Sequence, residues 1–414
     1  MTDAAFPLKV SANGRYLVDS KNRPFLYHAD TCWRIANRLT RTDALHFLDD
    51  RRARGFNTLH IHAINKEKTG TANPDGHKPF APEDDITRPN APYWQHLDEI
   101  LKLATERGFL LAVSAVWFGY NGSGWRRNFT QENAPVYGRF LAERYNHHQN
   151  IVWILGGDNN PDGPDDKREA TRILARTLRQ IAPHQLRTYH AQNEHPSAHW
   201  FADDDWLDIN FAYSYDQVYR QVLREYDRTP VRPIILSETG YEGEGNTGFS
   251  WNAELVRKQA WWTLLAGGAG HAQGNGTVWY LGDGWQQFLD KPATRHMSHV
   301  KALFDAHDWW KLVPDREHTL VTRGWRSFGD AHNAGAARFE DGGFALVYVP
   351  AVRTFMVDMG RLRGPVRARW YDPTWGAYQP VTGSPFPADG KREFTTPAHL
   401  NAAGDDDWAL VLEA

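Results

Sequence analysis

The runs Ile151-Val152-Trp153-Ile154-Leu155-Gly156 and Pro233-Ile234-Ile235-Leu236 carry no charge or polar side chain, and each is followed within two residues by a carboxylate, Asp158 and Glu238. A strand that is apolar at odd and even positions alike must be covered on both faces, as strands of parallel α/β sheets are. Chemistry in such sheets gathers beyond the carboxyl ends of the strands, where both acids stand. The rest of the chain agrees with that reading. Strand-like stretches begin near Phe25, Thr58, Leu110, Ile151, Arg187, Asp208, Pro233 and Gly268, separated by helical patterns. Eight parallel strands with intervening helices make a barrel.

The predicted fold class is therefore α/β, a (β/α)8 TIM barrel, followed by a small all-β sandwich. Residues 1–20 are predicted to form an amino-terminal hairpin on the barrel, with Leu8 to Val10 and Tyr16 to Val18 flanking a turn at Asn13-Gly14. Residues 21–313 are predicted to form the barrel and 314–414 the sandwich, where alternating stretches such as Phe344 to Val349 and Trp408 to Leu412 replace helical spacing. Within the barrel, Thr42 can cap a helix that puts Leu45, Leu48 and Arg52 on one stripe. Pro92 suits the first turn of the next, with Trp94, Leu97, Leu101 and Ala104 inward. Val136, Phe140 and Leu141 mark a third helix. Long stretches without a period follow strands rather than helices: Asn65 to Ala91, Phe118 to Gln131, Thr239 to Trp251 and Ala272 to Ala293. Loops of that length in a compact domain are usually functional, and these fall on the active-site face of a barrel.

Composition removes several classes of partner. The net charge is −3, and the 47 basic residues are scattered, so no groove for nucleic acid is indicated. No stretch approaches a membrane span. Cys32 is the single cysteine, which excludes an intrachain disulfide. Met1 to Pro7 has neither a basic region nor an apolar core of a signal peptide, so the sequence predicts a cytoplasmic protein. Eighteen Trp, sixteen Tyr and twenty Phe are a heavy aromatic load. Most serve a core, but flat rings also stack on sugar faces.

Cleavage of a glycosidic bond passes through an oxocarbenium-like state and needs a proton donor for the leaving oxygen with an anion or activated water at the anomeric carbon. Asp158 is assigned as acid/base and Glu238 as nucleophile, since the ends of strands four and seven open on one face. Each has a structural alternative: an Asx turn in Gly156-Gly157-Asp158-Asn159-Asn160, and a strand-end carboxylate held by a neighbouring Arg. Glu242 is a rival anion in a Gly-rich loop. Retention is expected, with the carboxyl groups roughly 5–5.5 Å apart. An Asp that keeps its proton needs surroundings that raise it from about 3.9.

Several motifs together resemble the apiosidase-like hydrolases of glycoside hydrolase family 140. These are Leu26-Tyr27-His28-Ala29-Asp30-Thr31-Cys32-Trp33, Arg54-Gly55-Phe56-Asn57, Ile151 to Asp158, Glu238 with Tyr241-Glu242, and Gly270-His271 followed by Trp279. The resemblance runs from about Leu8 to Leu412. It implies a barrel followed by a sandwich, exo-acting release of apiose from a pectic polymer, and a catalytic pair at Asp158 and Glu238. The chain departs from the family pattern after strand six, where Tyr213-Ser214-Tyr215-Asp216 replaces an expected Gln-Ser-x-His. That departure bears on the sugar preferred. Without a signal peptide, an imported oligosaccharide or small glycoside fits better than a wall polymer.

Further substrate-binding candidates are Asp30, Trp33, His60, His62, Trp117, Asn159, Tyr213, Tyr241, His271 and Trp279. Asp30 could instead cap the Thr31-Cys32-Trp33 turn, and the aromatic residues and histidines could be packing. The partner expected is a carbohydrate, without metal or cofactor; the sequence is silent on oligomeric state. Two other readings remain. A metal-dependent amidohydrolase is prompted by His60, His62 and His190 but lacks matching ligands at strands one, six and eight. A non-catalytic carbohydrate-binding protein would not require both acids.

Overall fold

The computed structural model describes residues 4–66, 70–246 and 249–414. Parts of the loops expected at Asn65 to Ala91 and Thr239 to Trp251, and residues 1–3 of the amino-terminal segment, lie outside these. The eight barrel strands are β1 Tyr27–Thr31, β2 Thr58–His62, β3 Leu110–Ser114, β4 Ile151–Gly156, β5 Leu186–His190, β6 Asn210–Tyr213, β7 Ile234–Glu238 and β8 Gly270–Gln273. Each is followed by a helix: α1 Arg41–Ala53, α2 Ala91–Glu106, α3 Ala134–Tyr145, α4 Arg168–Ile181, α5 Ala198–Phe201, α6 Tyr219–Tyr226, α7 Ala253–Leu265 and α8 Pro292–Asp305. The strands run parallel in the order β5-β4-β3-β2-β1-β8-β7-β6. Between β5 and β6 the wall is closed by the Asp208 amide donating to Arg187 O at 3.0 Å and by Thr188 Oγ1 donating to Ile209 O at 2.8 Å.

The two-residue period sorts side chains between the barrel interior and the helix layer. Tyr27, Ala29, Leu110, Ala112, Val152, Ile154, Phe211 and Ile235 form the interior cluster. Leu59, Ile61, Leu111, Val113, Trp153 and Leu155 face the helices. The amino-terminal segment is a three-stranded antiparallel sheet, Lys9–Val10, Leu17–Val18 and Pro24–Phe25. Its Leu8, Leu17 and Phe25 join the interior cluster. Phe25, expected to open strand one, belongs to this sheet, and the barrel strand starts at Tyr27.

Two helix phases differ from expectation. Thr40, not Thr42, caps α1, with its hydroxyl oxygen accepting from the Asp43 amide at 3.3 Å. The inward stripe is consequently Ala44, Phe47, Leu48 and Arg51. In α3 the inward residues are Ala134, Tyr137, Leu141 and Tyr145, while Val136 is 49% exposed.

The carboxyl-terminal region is a six-stranded antiparallel sheet facing a three-stranded one. Strands Phe344–Val349 and Trp408–Glu413 pair at the centre of the larger sheet. Their alternation fills two cores at once: Ala345, Val347, Val349, Trp408, Leu410 and Leu412 point into the sandwich. Leu346, Tyr348, Ala409 and Val411 pack with Trp261, Leu265 and Phe304 of the barrel helices. At this junction Arg257 of α7 is fully buried and bonds the Asp407 carboxylate twice, at 2.8 and 2.6 Å. Among the described residues no helix is long and apolar enough to cross a membrane.

Candidate active site

Regular alternation along β7 would turn Glu238 outward with Leu236. Instead the ladder to β6 slips: Leu236 pairs Ala212, Ser237 is left over, and Glu238 pairs the inward-facing Tyr213. A bulge of this kind re-aims one side chain. Glu238 thereby enters the barrel mouth, where its Oε1 accepts a hydrogen bond from the Tyr241 hydroxyl and its Oε2 lies 3.0 Å from His190 Nε2. Tyr241 is held in turn by Trp33 Nε1, which donates to its oxygen at 3.1 Å. Burial, and next the charge of Glu238, push the Tyr241 phenol well above its ordinary range, so it remains a donor. The Glu238 side chain keeps 9% of its surface accessible.

Asp158 stands across the mouth on the turn that ends β4. Gly156, Gly157 and Asp158 all have positive φ, +69°, +132° and +45°. The first two positions must be glycine. A Cβ on Gly156 would lie 2.4 Å from the Tyr189 ring, and one on Gly157 would lie 2.0 Å from Trp117. The Asp158 amide donates to His190 Nδ1 at 3.3 Å, so a single imidazole separates the Asp158 backbone from the Glu238 carboxylate. Burial, followed by the charges of Glu238 and Asp158, raises the Tyr213 phenol well above its usual range. Burial, followed by the charges of Glu238, Glu244 and Asp158, raises the Tyr215 phenol likewise.

An aromatic wall surrounds these groups. Trp33 stacks on His62 with centroids 4.9 Å apart and meets Trp117 at 4.9 Å. Trp117 and Tyr213 approach His190 at 5.3 and 5.1 Å. The half-buried Trp279 lies 6.4 Å from Tyr241. His60 sits deeper, its Nε2 2.6 Å from the Tyr27 hydroxyl and its ring stacked on Phe211. Burial, as the leading cause, holds His60 and His62 well below the usual imidazole range, with the Arg34 charge adding to it at His62, so both are neutral. Among the described residues no group of three or more His, Cys, Asp or Glu side chains is placed to hold a metal ion.

Two expected contacts face the helix layer, and a third, beside Asp158, has its amide bonded to protein. Asp30 has the parity of His28 and faces the helix layer, where Arg51 reaches it at 2.9 Å and Gln273 at 2.5 Å. His271 pairs in register with His28, and the two rings meet there at 3.2 Å, fully buried. Asn159 lies in the loop beside Asp158, but both ends of its amide bond to protein, with Arg126 donating to Oδ1 and Nδ2 donating to Gly119 O at 3.1 Å. The rival Glu242 is likewise committed, since its Oε2 accepts from the Ala293 amide at 3.0 Å in the first turn of α8.

Four residues at or near the site were not among the expected contacts. Tyr215, 38% exposed, belongs to the Tyr213–Asp216 stretch that departs from the family pattern, and its hydroxyl accepts from Tyr213 at 3.2 Å. Glu194 fixes that loop by accepting from Ser214 Oγ and the Tyr215 amide, each at 2.8 Å. His190 enters the sequence reading only as a metal ligand, and nothing in the sequence marks Arg126. The inward parity of His190 on β5 was the one available signal.

Comparison with known proteins places this arrangement. A family model described as "Apiosidase-like, catalytic domain" matches residues 11–311, and one described as "Putative collagen-binding domain of a collagenase" matches residues 313–413. No curated protein matches the chain in sequence. A family 5 glycoside hydrolase from Bacteroides vulgatus ATCC 8482 is 25% identical over 98% of this chain and 93% of its own, with a TM-score of 0.85. A structure described as a glycoside hydrolase shares the fold at 24% identity over 99% of this chain and 97% of its own, TM-score 0.87. The chain belongs to the apiosidase-like glycoside hydrolases, its catalytic barrel followed by a β-rich domain of the collagen-binding type.

Proposed function

We propose that the enzyme is an exo-acting, retaining hydrolase that releases apiose or a similar furanose-type sugar from an oligosaccharide or glycoside. Asp158 serves as acid/base and Glu238 as nucleophile. The observation that carries this reading is the bulge in β7: it turns Glu238 into the mouth, where one imidazole links it to the Asp158 backbone. Strand geometry alone would have buried it against the helices.

In the first step Glu238 attacks the anomeric carbon while Asp158 protonates the leaving oxygen; in the second, Asp158 takes a proton from water and the glycosyl ester is hydrolysed. Tyr241 holds one Glu238 oxygen and His190 stands beside the other, which together orient the carboxylate for the sugar. Trp33, His62, Trp117, Tyr213, Tyr241 and Trp279 form the wall against which the ring packs. Apiose itself is supported by the family to which the chain belongs.

Leaving-group dependence tests the assignment. Asp158→Asn should lower kcat/KM by about 10²–10⁴-fold on a 4-methoxyphenyl furanoside. With a 2,4-dinitrophenyl leaving group, which departs without a proton, most of that loss should vanish. Glu238→Gln should fail on both. Equal rescue of the two variants would show the roles to be wrongly assigned.

A further inference from the structure

Arg126 gathers the loop that carries Asp158. It lies after β3 in a single 3-10 turn, Arg126–Asn128, with 11% of its side chain accessible. Its guanidinium donates to Asn159 Oδ1 and to four main-chain oxygens, those of Asn160 at 2.5 Å, Pro161 at 3.5 Å, Asp162 at 2.9 Å and Asp165 at 2.6 Å. Oxygen atoms converging from a stretch of seven residues repel one another unless donors stand among them. A planar fork of five N–H groups supplies them in fixed directions, whereas an ammonium has three on a flexible stem.

The segment so fixed starts at a strained place. A left-handed residue with a Cβ costs about 1–2 kcal/mol, and Asp158 takes that conformation directly before the clamped oxygens. Such strain persists only where the surroundings over-determine it. On the strand side the turn is tied by the Gly119 amide to Gly157 O at 3.1 Å and by the Tyr189 hydroxyl to Asn159 O at 2.8 Å. On the far side the Lys167 amide donates to Pro161 O at 2.6 Å, the Gln192 amide to Asn160 Oδ1 at 3.2 Å and Lys167 Nζ pairs with Asp165 at 2.7 Å, while among the described residues Arg126 alone reaches oxygens along the length of the segment.

We propose that Arg126 is a positioning residue for general acid catalysis, holding the 159–165 segment so that Asp158 stays in its left-handed conformation with its carboxyl at the mouth. It touches no reacting atom. The proposal rests on Asp158 being the acid/base, and its test separates the two claims.

Arg126→Lys keeps the charge and loses the fork; Arg126→Gln loses both. Each is compared with the parent and with Asp158→Asn on 2,4-dinitrophenyl and 4-methoxyphenyl apiofuranosides, or on the matching arabinofuranosides if the parent turns those over. The measured quantity is kcat/KM, which reports the steps up to aglycone release. Both Arg126 variants should lose about 10–100-fold on the 4-methoxyphenyl substrate and stay within about threefold on the dinitrophenyl one, the pattern of Asp158→Asn in milder form. Equal loss on both substrates, or none on either, overturns the positioning role while Asp158→Asn still shows its own pattern. If Asp158→Asn lacks leaving-group dependence, the acid assignment itself has failed. Should Arg126→Gln melt far below the parent, the Lys variant decides.

Discussion

Glu238 reaches the barrel mouth because β7 contains one more residue than its partner strand, with Ser237 taking the extra place. Once there, its orientation depends on the Tyr241 hydroxyl. Tyr241→Phe should lower kcat/KM by about 10-fold or more, since a hydrogen bond to a charged group contributes roughly 1.5–3 kcal/mol. An unchanged rate would mean that Tyr241 is packing only. The buried rings carry a second consequence. Burial, as the leading cause, lowers His271 and His296 to about 3, so the folded protein leaves them neutral where the unfolded chain, near 6.5, protonates them. Their contribution is therefore complete above about pH 6.5 and declines as pH falls toward 3, by about 2 kcal/mol per ring at pH 5. A melting temperature that drops between pH 7 and pH 5, and drops less in His296→Gln, is the expected result; a flat profile would count against it.

At the level of elements, strand positions are readable because apolar runs of five or six residues bounded by turn residues have few alternatives, and the strand expected to begin near Ile151 does begin there and ends at Gly156, two residues before its acid. Which way a strand faces is not. Asp30 and His271 look like mouth residues when strand one is taken to close at Asp30 and strand eight to end before His271; both lie within their strands, and their parity sends them to the helices. Arg51, the partner that explains Asp30, was missed when a cap placed two residues late rotated the α1 stripe. Asp158 and Glu238 stood out because an acid after an apolar strand is unusual, but the bulge that aims one and the clamp that holds the other depend on neighbours distant in sequence. The Gly156-Gly157 turn gives a test at this scale. Gly157→Ala, with φ of +132° and Trp117 2.0 Å from the new carbon, should cost about 2–5 kcal/mol and abolish turnover. A near-native melting temperature with full activity would show that the turn tolerates what its geometry forbids.

For the whole molecule, the sandwich acts as a brace as well as an appended domain. Its central strands are covered on both faces, and the outer face completes the packing of α7 and α8. Arg257, Asp407 and Tyr348 form a buried network across the junction, with the half-buried Asp405 at its edge. Removing one partner of such a pair leaves a buried charge, so Arg257→Met should destabilise the protein by about 3–5 kcal/mol in denaturant unfolding. A cost below about 1 kcal/mol would mean that the network is not coupled to folding. The account as a whole turns on Glu238 attacking the anomeric carbon, and trapping reads this directly. After incubation with an activated 2-deoxy-2-fluoro furanoside that the enzyme accepts, peptide mass spectrometry should find one fluoroglycosyl group, on the peptide containing Glu238. A label on another carboxylate would contradict the account.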